Sequence, residues 1–366
     1  MRIAIVGTRG IPNNYGGFEQ FTEYLSKWLI EQGHSVTVYN PHNHKFQGKQ
    51  WNGVAISHKF DPEYLIGTPG QFIYDLNCIL DTRNSHFDII LQLGYTSSSI
   101  WSFLYPSRSV LITNMDGLEW KRSKYSKLVK RYLKIAERWA VRYSDWLVAD
   151  SIGIQNYLKE SHQKDSEYIP YGAVVFANPD ARILNSLNLQ PYAYDMLIAR
   201  MEPENNIETI LDGVFHSAFH RKMIVVGNTD TKYGKQLRRK YEHATQIQFV
   251  GSIYDINILN NLRYFSNLYF HGHSVGGTNP SLLEAMASGA LICAHNNSFN
   301  KAILESDAFY FTTSEEISQY VSSLEKENYN LQMVSNNIIK INKFYNWGRI
   351  CSQYEELFKK VLSQDA

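Results

Sequence analysis

Residues 268–289 read LYFHGHSVGGTNPSLLEAMASG. Leu268–His271 is an apolar run of strand length, a glycine-rich turn follows, and a helix opens near Pro280, where a proline suits the first helical position. Strand, glycine turn and helix form the local unit of a parallel α/β sheet, and the unit recurs on both sides. Upstream lie Asp195–Ala199, Met223–Val226 and Ile247–Val250, and downstream lies Ala290–Ala294. An earlier set keeps the same rhythm: Ile3–Gly7, Ser35–Tyr39, Asp88–Leu91, Val110–Thr113 and Trp146–Ala149. Between the sets come IPYGA (Ile169–Ala173) and a polar stretch at Asn178–Asn188. The expected fold class is therefore α/β, with two Rossmann-like domains at 1–178 and 179–345. The amphipathic stretch Tyr345–Leu362 ends the chain, and 346–366 is expected to pack back on the first domain. A length of 366 residues suits two domains at roughly 100–200 residues each. In such sheets a ligand sits at the C-terminal ends of the strands, here facing a cleft between the domains.

Composition removes several classes of function. Lys+Arg number 36 against 35 Asp+Glu, a net charge of +1, so no nucleic-acid partner is expected. Cys78, Cys293 and Cys351 are far apart and form no CxxC pair, against a disulfide scaffold or a cysteine zinc site. No stretch approaches the ~20 apolar residues of a membrane span, and the opening apolar run Ile3–Val6 is too short for a signal peptide. A cytoplasmic globular protein is the expectation. DxD, GxxxxGK[ST], HExxH and an intact GxGxxG are all missing, so neither a metal nor a redox cofactor is expected.

Five constellations could carry chemistry. Gly7–Glu19 (GTRGIPNNYGGFE) joins the first strand to the first helix, and Gly16 and Gly17 would let a phosphate approach that helix N-terminus. Arg200, in ARMEPENN, follows the first strand of the second set, where a guanidinium can clamp a diphosphate; a surface pair with Glu202 or Glu204 is the plain alternative. In the opening stretch, Thr278, Asn279 and Ser281 put amides at a helix start, Gly277 is a further donor-binding candidate, and Glu284 faces nearly opposite to Leu282 and Met286. Glu284 could accept from two ribose hydroxyls or merely answer the helix dipole. His271 and His273 read as a structural pair rather than as metal ligands. In NMDGLEW (Asn114–Trp120), Asp116 and Glu119 are candidates for a base or for orienting a hydroxyl, or else a turn and a helix start. Finally, a helix is expected over Lys121–Tyr143, with Lys124, Lys127, Arg131, Lys134 and Arg138 in one stripe and an apolar stripe from Tyr125 to Trp139. A basic amphipathic helix suits an anionic membrane surface, and a charged solvent face suits it equally.

These residues together resemble the retaining GT-B glycosyltransferases of the glycosyl transferases group 1 family. The resemblance rests on Gly16-Gly17, Ala149-Asp-Ser151, IPYGA, Arg200, FVGSIYD (Phe249–Asp255), LLEAMASGALICA and the final Trp-containing helix. More narrowly, GTRGIPNNYGGFEQF, NMDGLEWKRSKYS, ARMEPENNIE and HGHSVGGTNPSLLEAMA look like the bacterial β-1,4-rhamnosyltransferase branch of surface polysaccharide synthesis. That resemblance implies transfer of L-rhamnose from dTDP-β-L-rhamnose, with retention, to a polyprenyl-diphosphate-linked sugar such as GlcNAc. It implies a peripheral enzyme at the inner face of the plasma membrane, with Trp120, Lys121, Lys124, Lys127 and Arg131 toward acceptor or lipid. Phe249, Val250, Gly251 and Tyr254 would line the nucleobase pocket. Two departures stand out: Gly276 replaces the family's first glutamate, eight residues before Glu284, and Asn205 replaces its lysine after the clamp arginine. Three other readings remain open. They are a GT-B transferase using a UDP- or GDP-sugar, a nucleotide-sugar epimerase of the same double-Rossmann shape, and a non-catalytic partner subunit.

Overall fold

The computed structural model describes residues 1–14, 16–122, 125–218, 221–326 and 331–364. The chain divides into two compact units, one of Met1–Lys121, Tyr125–Tyr171 and Trp347–Ala366, the other of Arg122–Lys124 and Gly172–Asn346.

The first unit is built on strands β1 (Arg2–Val6), β2 (Ser35–Pro41), β3 (Gln50–Trp51), β4 (Val54–Lys59), β5 (Ile89–Leu93), β6 (Val110–Asn114), β7 (Trp146–Ala149) and β8 (Glu167–Tyr168). Among the described residues they form one sheet in the order β3-β4-β2-β1-β5-β6-β7-β8, parallel except for β3 against β4. The chain winds outward from β1 through β2 and β4, then returns to β5 on β1's other side. The crevice between the ends of β1 and β5 is thus the switch point where α/β sheets bind ligands. Helices α1 (Gly17–Glu31), α2 (Glu63–Ile66), α3 (Pro69–Asn84), α4 (Lys127–Tyr143) and α5 (Ile152–His162) belong to this unit. α1 buries Phe21, Leu25 and Leu29. The C-terminal helix Trp347–Gln364 docks on α1, with Trp347 stacked on Tyr24 at 4.5 Å and Tyr354 beside Phe21 at 4.9 Å.

The second unit carries β9 (Tyr194–Ile198), β10 (Lys222–Val226), β11 (Ile247–Gly251), β12 (Tyr269–His271), β13 (Ile292–His295) and β14 (Phe309–Phe311). The order is β11-β10-β9-β12-β13-β14, parallel throughout. Winding reverses between β9 and β12. Helices α6 (Ile207–Phe215), α7 (Lys232–Lys240), α8 (Ile256–Phe265) and α9 (Pro280–Ala287) flank the sheet. Leu197, Met223, Val225, Phe270 and Phe311 meet in its core.

Both sheets contain every strand expected from the apolar runs. They also add β3, β4 and β8, which are short or polar and carry no such run, and β14, a three-residue strand in the apolar stretch Ala308–Phe311 that lies outside the expected set. α4 begins at Lys127 rather than at Lys121, because the Ser126 side chain accepts from the Val129 amide and caps it there. Glu119–Lys121 is instead a separate 3-10 turn. Among the described residues no helix is long and apolar enough to cross a membrane.

Candidate functional site

In the second unit, the loops after β9 and β12 sit side by side at the switch point and are bonded to each other. Asn206 donates its amide to the Gly272 carbonyl at 2.7 Å, and Ser274 donates through both its backbone N–H and its hydroxyl to the Glu204 carbonyl. A Cβ on Gly272 would stand 2.0 Å from the Asn205 carbonyl oxygen, so only glycine allows the two backbones to approach this closely. Asn297 and Asn300 both donate to the His273 carbonyl, at 3.0 and 3.1 Å. The segment 272–274 is thereby fixed from three sides.

Arg200 emerges from this framework, exposed at the end of β9. Among the described residues its guanidinium makes neither a hydrogen bond nor an ion pair, and Glu202 instead lies 3.6 Å from Arg122. The Arg200 carbonyl accepts from Asn205 at 2.7 Å. Asn205, which stands in the lysine position, is buried and turned inward to brace the Arg200 backbone. Gly276 takes a φ of +136°, and a Cβ there would meet nothing within 4 Å.

His271 and His273 stack with ring centroids 4.4 Å apart. His271 is fully buried, and among the described residues neither of its ring nitrogens has a hydrogen-bond partner. Burial first, and then the Arg200 guanidinium, lowers the His273 pKa to about 3; burial likewise holds His271 well below the usual histidine range. Both rings are therefore neutral at physiological pH. No cluster of three or more His, Cys, Asp or Glu side chains suited to a metal ion occurs among the described residues.

Thr278 is buried, and Asn279 caps α9 by accepting from the Ser281 amide at 2.9 Å. Gly277 precedes them, partly exposed. Glu284, one turn into α9, takes a 2.5 Å ion pair from Arg263 of α8, whose side chain is only 1% exposed. Arg263 also donates to Asn260 at 2.9 Å. The pair fixes Glu284's orientation without burying it. On the edge strand β11, Phe249 packs against the core, Val250 and Gly251 are partly exposed, and Tyr254 beyond the strand is 81% exposed.

In the first unit, Glu19 is buried beneath the loop after β1, accepting from the Arg9 amide at 2.7 Å and the Thr8 hydroxyl at 3.1 Å. A Cβ on Gly16 would meet only a Glu19 carboxylate oxygen, at 3.3 Å. The helix N-terminus at Gly16 and Gly17 is therefore already partly answered by a carboxylate. The tighter glycine requirement is at Gly7, where φ is +81° and a Cβ would lie 2.2 Å from the Leu93 carbonyl oxygen.

After β6 the chain turns through Asp116 at a φ of +37°. Three side chains hold this turn. Asn114 accepts from the Asp116 amide at 3.0 Å, Tyr171 donates to the Asp116 carboxylate at 3.4 Å, and Tyr95 donates to the Gly117 carbonyl at 3.1 Å. Glu119 opens the following 3-10 turn, partly exposed.

Trp120 is anchored by a residue that sequence reasoning missed. Glu137, buried in α4, accepts from Trp120 Nε1 at 3.1 Å, the Tyr157 hydroxyl at 2.7 Å and His162 Nε2 at 2.9 Å. Lys134 lies 4.3 Å above the Trp120 ring and Lys121 5.5 Å from it, so these cations serve the tryptophan as well as the solvent. Lys127 and Arg131 are exposed, as expected; Lys124 lies outside the described residues. The apolar stripe begins later than expected, because α4 buries Leu133, Ala136, Ala140 and Val141 while Leu128 is 80% exposed.

Residues 193–341 match the family model Glycosyl transferases group 1, and residues 1–174 match a Domain of unknown function (DUF1972). No curated protein is a significant sequence match to the chain. Among solved structures, sucrose-phosphate synthase (tll1590) from Thermosynechococcus elongatus is similar with a TM-score of 0.83 at 16% identity, covering 99% of each chain. Anabaena Alr3699/HepE in complex with UDP and glucose reaches 0.79 at 16% identity, covering 98% of this chain and 99% of that one. The catalytic domain of starch synthase IV from Arabidopsis thaliana, bound to ADP and acarbose, reaches 0.72 at 12% identity, covering 99% of both. Residues 193–341 are thus a Glycosyl transferases group 1 domain, carried in a chain with the GT-B fold.

Proposed function

We propose that the chain is a retaining, metal-independent glycosyltransferase that moves L-rhamnose from dTDP-β-L-rhamnose onto a polyprenyl-diphosphate-linked sugar such as GlcNAc. The observation that carries the reading is Arg200: an exposed guanidinium without a protein partner among the described residues, on a braced loop at the switch point of a group 1 domain. Its natural counterpart is the diphosphate of a nucleotide sugar. The solved neighbour HepE is seen with UDP-glucose, which supports that donor class.

In this reading Arg200 and the amides of Thr278 and Asn279 stabilise charge on the departing diphosphate. Fixed donors cost no reorganisation during the reaction. Neutral His271 and His273 add no competing charge beside Arg200. Glu284, oriented by Arg263, accepts from the 3′-hydroxyl of the donor's deoxyribose, the one free hydroxyl that sugar offers, while Val250, Gly251 and Tyr254 at the end of β11 meet the nucleobase. The acceptor hydroxyl attacks on the face from which the diphosphate leaves, and a diphosphate oxygen takes its proton. Asp116, held by Tyr171, and Glu119 orient the acceptor or the transferred sugar. Lys127 and Arg131 face the lipid at the inner leaflet.

A panel of dTDP-rhamnose, UDP-glucose and GDP-mannose, offered with a short-chain GlcNAc-diphosphate lipid, tests the reading. Release of dTDP that depends on acceptor, with an NMR-defined rhamnosyl linkage in the product, is expected. Turnover of another donor alone would replace the sugar, and donor conversion without acceptor would indicate an epimerase. The inward-turned Asn205 and the vacant Gly276 position favour one second reading, a subunit without chemistry. It requires that no nucleotide bind in a calorimetric titration.

A further inference from the structure

α2 is a single turn, Glu63–Ile66, and it buries none of its residues. Tyr64, Leu65 and Ile66 are 61%, 67% and 50% exposed. The apolar surface continues beyond this turn. On α3, Ile73 and Leu80 share a face at helical spacing and are 39% and 43% exposed. Between them Asn77 donates to the Phe60 carbonyl at 2.9 Å, which places half-exposed Phe60 alongside. His42 links the two parts, its ring 5.1 Å from Phe60 and 5.8 Å from Tyr64. Six large apolar side chains thus lie on connected elements of the first unit, and a contiguous patch of this kind marks a contact surface.

Its charge selects the occupant. The neighbouring carboxylates are neutralised or buried: Glu63 by Arg9 at 2.9 Å, Asp81 by Lys59 at 2.6 Å, with Asp61 and Asp75 out of solvent. The loop after His42 adds two exposed cations, Lys45 and Lys49, which form no ion pair among the described residues. An apolar turn with aromatic flanks and unanswered lysines fits the headgroup region of a bilayer that contains anionic lipid.

We infer that this face docks the protein on such a bilayer, the Tyr64–Ile66 turn entering the headgroup layer and Lys45 and Lys49 lying against lipid phosphates. The inference extends the lipid-linked acceptor proposed above, but it rests on a different part of the chain. Co-sedimentation of the full chain with phosphatidylcholine vesicles, with and without 30% phosphatidylglycerol, tests it. Wild type should bind the anionic vesicles. Tyr64→Ser/Leu65→Ser/Ile66→Ser should weaken that binding at least tenfold, and Lys45→Ala/Lys49→Ala should lower the preference for anionic lipid, leaving the share that Lys127 and Arg131 supply. Both variants should keep wild-type melting and wild-type turnover of a water-soluble, short-chain acceptor, which separates docking from catalysis. Equal vesicle binding by the triple variant would overturn the inference. So would light scattering that shows a wild-type dimer broken by the triple substitution, since the patch would then hold a second copy of the chain.

Discussion

Glu284 holds buried Arg263 and is proposed to hold the nucleotide's sugar, and Glu284→Ala tests both roles. The substitution leaves Arg263, 1% exposed, with Asn260 as its remaining partner of the two hydrogen-bonded side chains described above. Breaking a buried ion pair from one side costs about 3–5 kcal/mol, and because Glu284 is 19% exposed the lower end applies, about 3 kcal/mol. For a unit the size of Gly172–Asn346 this corresponds to a fall of about 6–12 °C in the melting temperature of the second unit. Glu284→Gln keeps an acceptor for Arg263 and should cost less, about 1–2 kcal/mol. Scanning calorimetry reads the stability. Titration with dTDP, well below the melting point, reads the contact to the 3′-hydroxyl of its deoxyribose, and the alanine variant should bind at least tenfold more weakly. An alanine variant that melts within 2 °C of wild type would refute the structural role. A lowered melting point with an unchanged dTDP dissociation constant would refute the ribose role and leave Glu284 as a packing residue alone.

Glu137→Ala deprives Trp120, Tyr157 and His162 of their shared acceptor and should destabilise the first unit by about 2–4 kcal/mol, read as a lower urea midpoint. An unchanged midpoint would mean that solvent replaces the carboxylate. Gly272→Ala forces a methyl to within 2.0 Å of the Asn205 carbonyl, so the loops must part at a cost of at least about 1–3 kcal/mol, and dTDP affinity should fall with the melting temperature. His273 is held neutral down to about 3, so as pH falls below ~6.5 the unfolded chain takes up a proton that the folded chain refuses. Stability is then present above ~6.5 and lost as pH falls toward 3, at up to ~1.4 kcal/mol per pH unit. His273→Asn should flatten the pH dependence of the urea midpoint between 6 and 4, and an unchanged slope would contradict a ring held neutral in the folded chain.

The strands that organise both sheets were legible because each is rich in apolar residues, and Ile3–Val6 and Met223–Val226 are buried throughout. β4, VAISHK, was not, since half of it is polar and its burial comes from neighbours distant in sequence. The start of α4 was misplaced because basic and apolar spacing continues smoothly through residues 121–126, and only the Ser126 cap breaks it. The exposed position of Arg200 just beyond β9 was legible in the sequence. The inward turn of Asn205 was not, because one side chain's hydrogen bond to a carbonyl leaves no trace in residue spacing. Glu137 did leave a signal: it is the sole acid in KLVKRYLKIAERWAVRY, beside Ala136 on the apolar side of the helix. An acid at such a position needs buried donors, and Trp120, Tyr157 and His162 supply them. The exposed turn at Tyr64–Ile66 could not be seen at all, since apolar residues in sequence suggest burial and only coordinates show that nothing covers them.

The central claim is that Arg200 draws off the nucleotide diphosphate, and the rate of acceptor-dependent dTDP release by Arg200→Ala tests it most directly. Arg200 bonds to nothing in the described protein through its side chain, so the melting temperature should be unchanged. Loss of one donor to the leaving group should lower turnover by about 10²–10³. Turnover within twofold of wild type, in a variant that melts normally, would contradict the account.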